Sequence, residues 1–163
     1  MNPTYNRIVL LPALLSSLVL GVVGCGTTKQ KPVAWTIKIT KPAGIEVDIV
    51  GVTTREKPRL EAYSVDKYWS PGDLERKNAT KLTSPPQAPS WEIDRKDPTW
   101  KQWLGRSVTG FFVMANLPGS CEGAADARRE FLTLDKNHWD AKKNTLEIEV
   151  QENRIRVITP ETP

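Results

Sequence analysis

The sequence predicts a mainly β protein, a single antiparallel β-sandwich of about seven strands with one or two short inserted helices, after a cleaved signal peptide. Apolar and polar residues alternate with a period of two in several short segments, and turns rich in Pro and Gly separate these segments. The sequence lacks the strand–helix–strand repeat that would indicate a parallel sheet. With 39% hydrophobic and 26% charged residues, the 163-residue chain has the composition of one ordinary domain. This excludes a collagen, a coiled coil, a polytopic membrane protein and a disulfide-rich miniprotein.

An apolar segment near the N-terminus predicts the signal peptide. Arg7 is the only charged residue before Lys29, and the apolar run from Ile8 to Val23 is 16 residues long. That is shorter than the roughly 20 residues that span a bilayer as a helix. A basic start, a short apolar run and small residues at its end are typical of secretory signal peptides.

The end of this segment, Val22-Val23-Gly24-Cys25, resembles the lipobox of bacterial prolipoproteins. The resemblance implies cleavage before Cys25 and lipid on its thiol and its new amine, so that several acyl chains hold the protein firmly to a membrane. In enterobacteria-like cells, Gly26 rather than Asp after the cysteine implies the outer membrane, with the protein facing the periplasm, and the inner membrane is the alternative. The alternative is an uncleaved anchor helix with a chance cysteine.

This interpretation divides the chain into three parts. Residues 1–24 are the lipoprotein signal peptide, residues 25–32 are the lipidated cysteine and a flexible tether, and residues 33–163 are the β-sandwich domain. The tether is polar and shows no periodic pattern. Because lipid occupies Cys25 in this interpretation, the other cysteine, Cys121, has no partner for an intramolecular disulfide.

Three strands are predicted at the start of the domain. Val33 to Thr40 alternates apolar and polar residues, and Lys41-Pro42-Ala43-Gly44 then turns the chain. Ile45 to Val52 alternates in the same way and predicts a second strand. Arg59 to Val65 is a third candidate with the same period.

A long irregular stretch from Asp66 to Asp97 follows these strands. Ser70 is a candidate cap for a short helix that runs to about Lys77, with Pro71 in its first turn. The Pro-rich segment 84–90 fits neither a helix nor a ladder of strand hydrogen bonds.

Strands are predicted again in the last third of the chain. Ser107 to Leu117 is apolar on both faces, which is typical of a central strand that is covered on both sides. Arg129 to Leu134 is a further strand. Thr145 to Val150 and Arg154 to Ile158 form a hairpin around a three-residue loop.

The reactive residues of the chain give little support to catalysis. After cleavage the chain has one histidine, His138, and one thiol that lipid leaves free, Cys121, and no activating motif surrounds either residue. A Cys–His pair with Asp126 or Asp140 is the nucleophile arrangement to consider, and we expect no enzyme activity from it. No metal-ligand spacing and no phosphate-binding motif occurs, so we expect no metal site and no cofactor.

Tryptophan is the residue type that suggests binding. Four of the six tryptophans lie in or beside the irregular stretch: Trp69, Trp91, Trp100 and Trp103. A second short helix is predicted from Asp97 to Gly105, with Trp100 and Trp103 on one face. Exposed indoles anchor protein partners or stack on sugar rings, which makes all four residues candidate binding residues. The alternative is that they cover one end of the sandwich as a small secondary core.

Basic residues are too evenly mixed with acidic ones to predict nucleic-acid binding, because the formal charge is only +4. Adjacent basic pairs occur at Arg95-Lys96, Arg128-Arg129 and Lys142-Lys143. On an envelope protein such pairs could contact anionic lipid or glycan. The alternative is an ordinary solvated face.

The segment Pro58-Arg59-Leu60-Glu61-Ala62-Tyr63-Ser64-Val65 resembles part of the outer-membrane lipoproteins of type VI secretion systems. The order of the later strands, over residues 108–117, 129–134 and 146–158, is similar in that family. The resemblance implies a two-sheet sandwich that docks on the periplasmic part of a membrane-spanning complex. The Pro-rich segment and the helix with Trp100 and Trp103 depart from the family pattern.

We therefore expect a lipid-anchored cell-envelope protein with a non-enzymatic docking or assembly role, and a membrane-spanning secretion complex is the candidate setting. Its partners are the membrane, through lipid on Cys25, and an envelope protein. Loops at the end far from the lipid, with the Pro-rich segment and the Trp100/Trp103 helix, are the first candidate for the docking surface. The alternative is a glycan- or peptidoglycan-binding lipoprotein that uses Trp69, Trp91 or Trp100 as stacking platforms.

Overall fold

The computed structural model describes residues 31–119, 125–141 and 144–163. The predicted lipobox with Cys25, most of the predicted tether, Cys121 and the pair Lys142-Lys143 lie outside the described residues. Within the described ranges, no helix is both long enough and apolar enough to cross a bilayer.

Two four-stranded sheets and four short helices make up the described part of the domain. The elements in chain order are β1 (Thr36–Thr40), β2 (Val47–Val52), α1 (Lys57–Ala62), α2 (Val65–Trp69), α3 (Leu74–Asn78), β3 (Lys81–Thr83), β4 (Ser90–Ile93), α4 (Pro98–Gly105), β5 (Gly110–Ala115), β6 (Arg129–Thr133), β7 (Thr145–Val150) and β8 (Ile155–Val157). The first sheet has the strand order β4-β1-β7-β8, and the second sheet has the order β3-β2-β5-β6. Neighbouring strands pair antiparallel in both sheets, apart from the parallel pair β1 and β7.

The predicted fold class is confirmed, because the protein is mainly β and its two sheets contain eight strands with short helices between them. Six of the predicted strands form, as β1, β2, β5, β6, β7 and β8. The other two, β3 and β4, lie inside the stretch that the sequence predicted to be irregular. They are three and four residues long, so the alternating pattern had few positions in which to appear.

The third predicted strand, over residues 59–65, is wrong. Most of this segment belongs to α1, which has Pro58 in its first turn, where the missing N–H of proline costs no hydrogen bond. Leu60 is the buried residue of this helix, so the apparent alternation did not reflect the two faces of a strand. Ser64 then caps α2, because its side chain accepts a backbone hydrogen bond from the first turn of that helix.

The two predicted helices both form, but one begins later than expected. The carboxylate of Asp97 caps α4, accepting a backbone N–H at 2.8 Å, and the helix ends at Gly105 as predicted. The cap of α3 is Asp73 rather than Ser70, because a turn closed by the Asp73 N–H and the Ser70 carbonyl at 3.2 Å comes first. Gly72 has a φ of 79° in that turn, a conformation that glycine adopts without a steric penalty.

The main core lies between the two sheets. In β1 and β7 every second residue is buried, so the first sheet has one apolar face and one solvated face. Residues from both sheets and from α4 meet in this core: Trp35, Ile37, Ile39, Ile49, Trp103, Phe111, Val113, Leu132, Leu146 and Ile148.

The second sheet is apolar on both faces. Every residue of β2 and of β5 is buried, which confirms the prediction of a central strand over most of 107–117. Helices α1 and α2 cover the outer face, where Val50, Leu60, Tyr68 and Phe112 belong to a second core.

A buried carboxylate attaches the helices to the second sheet. Asp48 on β2 is fully buried, and it accepts hydrogen bonds from the Tyr68 hydroxyl at 2.9 Å and from Arg76 Nε at 2.8 Å. The Thr83 hydroxyl donates a third, at 2.6 Å. Burial, together with the charge of Asp48, raises the pKa of Tyr68 well above its usual range. Arg129 on β6 adds a hydrogen bond to a carbonyl oxygen of α1 at 2.8 Å.

Strand pairing defines two ends of the sandwich. Ile37 pairs with both Leu146 and Ile93, so β1 and β7 begin at the end where β4 finishes. The chain enters the domain at this proximal end, where the Val33 N–H donates to the Leu134 carbonyl at 3.3 Å. The β1–β2 loop, the β3–β4 loop and the β7–β8 turn lie at the opposite, distal end.

The contact of α4 with β2 can be tested by a glycine pair. A Cβ on Gly51 would lie 2.6 Å from the Trp103 indole, so we expect Gly51→Ala to lower the free energy of unfolding by about 1 to 3 kcal/mol through overpacking. Urea denaturation measures the change. Gly105→Ala is the matched control, because a Cβ there meets no atom within 4 Å. Equal stability of the two variants would contradict this packing.

Candidate functional site

Two loops are paired at the distal end, and together we call them the paired-loop surface. Its residues are 41–45 of the β1–β2 loop and 84–89 of the β3–β4 loop. The Lys41 N–H donates to the Pro89 carbonyl at 2.9 Å, and the Gly44 N–H donates to the Pro86 carbonyl at 2.9 Å. Each loop therefore restrains the conformation of the other.

The side chain of Lys41 joins the two loops a second time. Lys41 is 5% exposed, and its Nζ donates to the carbonyl oxygen of Ile45 at 2.7 Å and to that of Pro86 at 2.9 Å. Burial lowers the pKa of the Lys41 amine below its usual value. Among the described residues no carboxylate forms an ion pair with Lys41, so the buried ammonium is held by backbone carbonyls.

Ser84 attaches the β3–β4 loop to the second sheet. The Val47 N–H donates to Ser84 Oγ at 3.1 Å, and the Ser84 N–H donates to the Val47 carbonyl at 2.8 Å. Sequence reasoning missed Ser84 and Lys41 as structural residues of this surface. Both residue types are usually exposed, and no local pattern marks them as buried.

The outward-facing part of the paired-loop surface is uncharged and consists mostly of small residues and prolines. Its exposed residues are Ala43, Gly44, Pro85, Pro86, Gln87 and Pro89. Because each proline ring fixes φ, the loops lose little conformational freedom when a partner binds them. Such a preorganised, uncharged surface is chemically suited to contact with a protein.

Trp100 and Trp103 lie in the main core. They are 3% and 0% exposed, and their rings meet edge to face with centroids 5.2 Å apart. Trp100 Nε1 donates to the Asp94 carbonyl at 3.1 Å. Their helix, α4, is at the proximal end, between the end of β4 and the start of β5. The structure therefore separates it from the Pro-rich segment, with which the sequence interpretation grouped it.

The other two candidate tryptophans are half-buried. Trp69 packs against the second core, and the guanidinium carbon of Arg76 lies 4.1 Å from its ring centroid. Trp91 on β4 packs against the main core and also lines an open depression beside Lys38 and Glu92. The structure does not bring the four tryptophans together into one surface.

The reactive groups considered for catalysis are only partly described. His138 Nε2 lies 3.3 Å from Glu161 Oε1, and its ring meets that of Trp139 at 4.6 Å between centroids. Cys121 lies outside the described residues. In the part of the chain that the structure describes, no three His, Cys, Asp or Glu side chains are placed to hold a metal ion.

The basic pairs differ in their surroundings. Arg128 is buried, and its guanidinium lies 2.7 Å from Asp126 and 2.6 Å from Asp66. Arg129 is buried as well, so the basic pair Arg128-Arg129 is not part of a solvated face. Burial acts to raise the pKa of Asp126, but the hydrogen bonds from Arg128 outweigh it and keep that pKa below its usual value. Arg95-Lys96, by contrast, is exposed.

Comparisons with known proteins give one likeness of fold. No protein-family model matches the sequence, and no curated protein matches it. A solved structure described as "T6SS protein TssM C-terminal domain (869-1107) from EAEC" is similar, with a TM-score of 0.49 and 11% sequence identity. The match covers 76% of this chain and 99% of that chain. A likeness of this extent identifies no functional residue.

The place of Trp103 in the core predicts a large loss of stability on truncation. We expect Trp103→Ala to lower the free energy of unfolding by about 3 to 5 kcal/mol, because it leaves a cavity between the sheets. Leu74→Ala is the control, since Leu74 is 68% exposed and its truncation should have little effect. Chemical denaturation compares the two variants. A Trp103→Ala protein as stable as the control would instead place this indole at the surface.

Proposed function

We propose that the protein is a lipid-anchored component of the cell envelope with a non-enzymatic docking role, and that the paired-loop surface binds a protein partner. In this proposal Cys25 carries the lipid, and the anchor lies in the outer membrane with the domain in the periplasm. A membrane-spanning secretion complex is the proposed setting for the partner.

The observation that carries the proposal is the position of the paired-loop surface relative to the point where the chain enters the domain. The chain that follows lipid-modified Cys25 would enter the domain at Val33, at the proximal end. The paired loops lie at the distal end. Strands of five residues such as β1 separate the two ends by about 17 Å. In this proposal the anchor therefore attaches to the end of the domain that is opposite the paired-loop surface.

The construction of the surface supports docking rather than chemistry. Lys41 and Ser84 direct their polar atoms inward, to carbonyls and an N–H of the domain itself. What faces outward is a set of prolines and small residues with a defined backbone. The conformational cost of ordering loops is paid during folding, which favours affinity for a partner of complementary shape.

The second candidate function is glycan binding, and the position of Trp91 is the observation that favours it. The depression beside Trp91 is also lined by polar side chains, among them Lys38, Ser90, Glu92 and Glu147. Trp91 pairs with Ile39, so its half-buried indole lies on the core-facing side of the edge strand β4. The face of such an indole can stack on a sugar ring, and the polar groups beside the strand can then orient the ring. In this alternative the protein binds cell-wall glycan at the β4 edge of the first sheet.

The anchor is tested by the mass of the protein and the substitution Cys25→Ser. We expect protein purified from membranes to have the mass of residues 25–163 plus lipid. The reason is that the signal peptide is removed by cleavage of the bond between Gly24 and Cys25, and Cys25 carries the lipid. The variant should keep residues 1–24 and carry no added lipid. Intact-protein mass spectrometry measures both. An unmodified thiol at Cys25 in the native protein would overturn the anchor.

Docking is tested by placing charge on the paired-loop surface. Ala43 and Gln87 are exposed, so Ala43→Arg with Gln87→Arg should leave the melting temperature unchanged while reducing partner capture at least about tenfold. Chemical crosslinking in intact cells, followed by purification through the protein, measures the capture. Gln102→Arg, on the exposed side of α4, is the matched control and should capture the partner normally.

Pull-down on isolated cell wall separates the two candidate functions. Retention of the wild-type protein by isolated, protein-free cell wall would favour glycan binding, whereas retention only in the presence of membrane protein favours docking. Normal capture by the double-arginine variant would exclude the paired-loop surface as the docking site.

A further inference from the structure

Four exposed basic residues occur at the proximal end. Lys31 precedes the domain, Arg95 and Lys96 lie in the turn between β4 and α4, and Lys136 follows β6. All four residues are exposed. Within the described residues, none of their side chains has an ion-pair partner.

The fold brings these residues together from three separate segments. Arg95 and Lys136 line one depression, together with Val33, Ala34 and Asn144. Lys31 is two residues before Val33, and Lys96 is next to Arg95. No carboxylate belongs to the described lining of this depression.

Four aspartates and Glu161 lie at the same end, and the side chains of three of the aspartates bind the backbone. Asp94, Asp97 and Asp135 each accept the backbone N–H of the residue two positions later, at 2.7, 2.8 and 2.9 Å respectively. Their charges weaken the positive field at long range without pairing with any of the four bases. An attraction by the bases is therefore effective only close to the surface and is sensitive to salt.

Several other basic residues on the surface do have acidic partners. Ion pairs join Lys38 to Glu92 at 3.7 Å, Lys57 to Glu61 at 3.1 Å and Arg106 to Glu56 at 3.3 Å, and Arg59 pairs with Glu75. Exposed bases without an ion pair also occur elsewhere in the described residues, at Lys77, Arg154 and Arg156, so position distinguishes the four bases of the proximal end. They lie at the end that the covalent chain connects to Cys25.

We propose that the proximal end rests on the membrane surface, with Lys31, Arg95, Lys96 and Lys136 facing anionic phospholipid headgroups. This inference depends on the lipid anchor at Cys25. From Cys25 to Val33 the chain has eight residue steps, which reach at most about 29 Å even when fully extended. The tether therefore keeps the proximal end within reach of the bilayer, and the four positive charges hold it there.

Contact of this end with anionic lipid also orients the paired-loop surface. A lipid-anchored domain that is otherwise free rotates about its tether, whereas a second attachment restricts the rotation. The distal end is then directed along the membrane normal, away from the bilayer. The proximal bases thus act on docking through the orientation of the domain.

The test uses full-length, naturally processed protein purified from membranes, with lipid on Cys25 verified by mass. It is reconstituted in vesicles of phosphatidylcholine, with or without phosphatidylglycerol, and hydrogen exchange is followed by mass spectrometry. We expect exchange over residues 94–97 and 135–138 to slow at least about fivefold only in vesicles with phosphatidylglycerol. The protection should disappear at about 0.5 M salt, which screens exposed charges.

A matched pair of variants assigns the effect to these side chains. Arg95→Gln with Lys136→Gln should abolish the protection, whereas Arg154→Gln with Arg156→Gln removes the same charge from exposed positions in and after the β7–β8 turn and should retain it. Equal exchange in the two vesicle types, or loss of protection in both variants, would overturn the proposal.

The outcomes distinguish this inference from the anchor. Protein with lipid on Cys25 but without protection of the proximal end would refute the membrane contact and leave the anchor intact. A mass spectrum that shows no lipid on Cys25 would refute the anchor and, with it, the membrane contact that depends on the anchor. Equal protection by inorganic phosphate without vesicles would indicate a phosphate site and would also refute the contact with a lipid surface.

Discussion

The second sheet is stable only when both of its faces are covered, and the rest of the domain depends on this constraint. All residues of β2 and β5 are buried, so one layer of side chains cannot remove this sheet from water. The first sheet covers one face. The chain covers the other with helices α1 and α2, inserted with α3 between β2 and β3. The domain therefore has three layers, which are the first sheet, the second sheet and the helices, although its fold class is that of a two-sheet protein.

Polar contacts determine where the helical layer lies. Asp48 is buried on the outer face of the second sheet, and Tyr68 and Arg76 can donate to it only if α2 and α3 hold one position. A buried carboxylate that lost these donors would be strongly destabilising, so this interaction favours one arrangement over sliding alternatives. Arg129 acts in the same way on α1. Apolar burial thus drives the helices onto the sheet, and hydrogen bonds select their register.

The paired-loop surface follows a related principle at the distal end. Its polar atoms are used internally, by Lys41 and Ser84, and its exposed atoms are those of prolines and small side chains. The proximal end has the opposite character, with unpaired bases around the start of the domain. Together with the proposed lipid anchor, this arrangement of a charged end and an uncharged end suits a protein that contacts a membrane at one end and a partner at the other. The proposed docking role and the proposed membrane contact use the two ends separately.

Sequence alone predicted the fold class, six strands and the α4 helix with its cap at Asp97, because alternation and capping depend on residues that are close together in the chain. The resemblance of residues 22–25 to a lipobox is also a local signal, and it stays a prediction. The prediction of a strand over residues 59–65 was wrong, because over so few residues the apolar positions of an amphipathic helix resemble those of a strand. Only the tertiary structure decided that Trp103 is core and that the Pro-rich segment lies far from it. It also decided the burial of Lys41, whose ammonium binds a carbonyl 45 positions away, because contacts between distant residues arise from strand pairing and have no counterpart in local pattern.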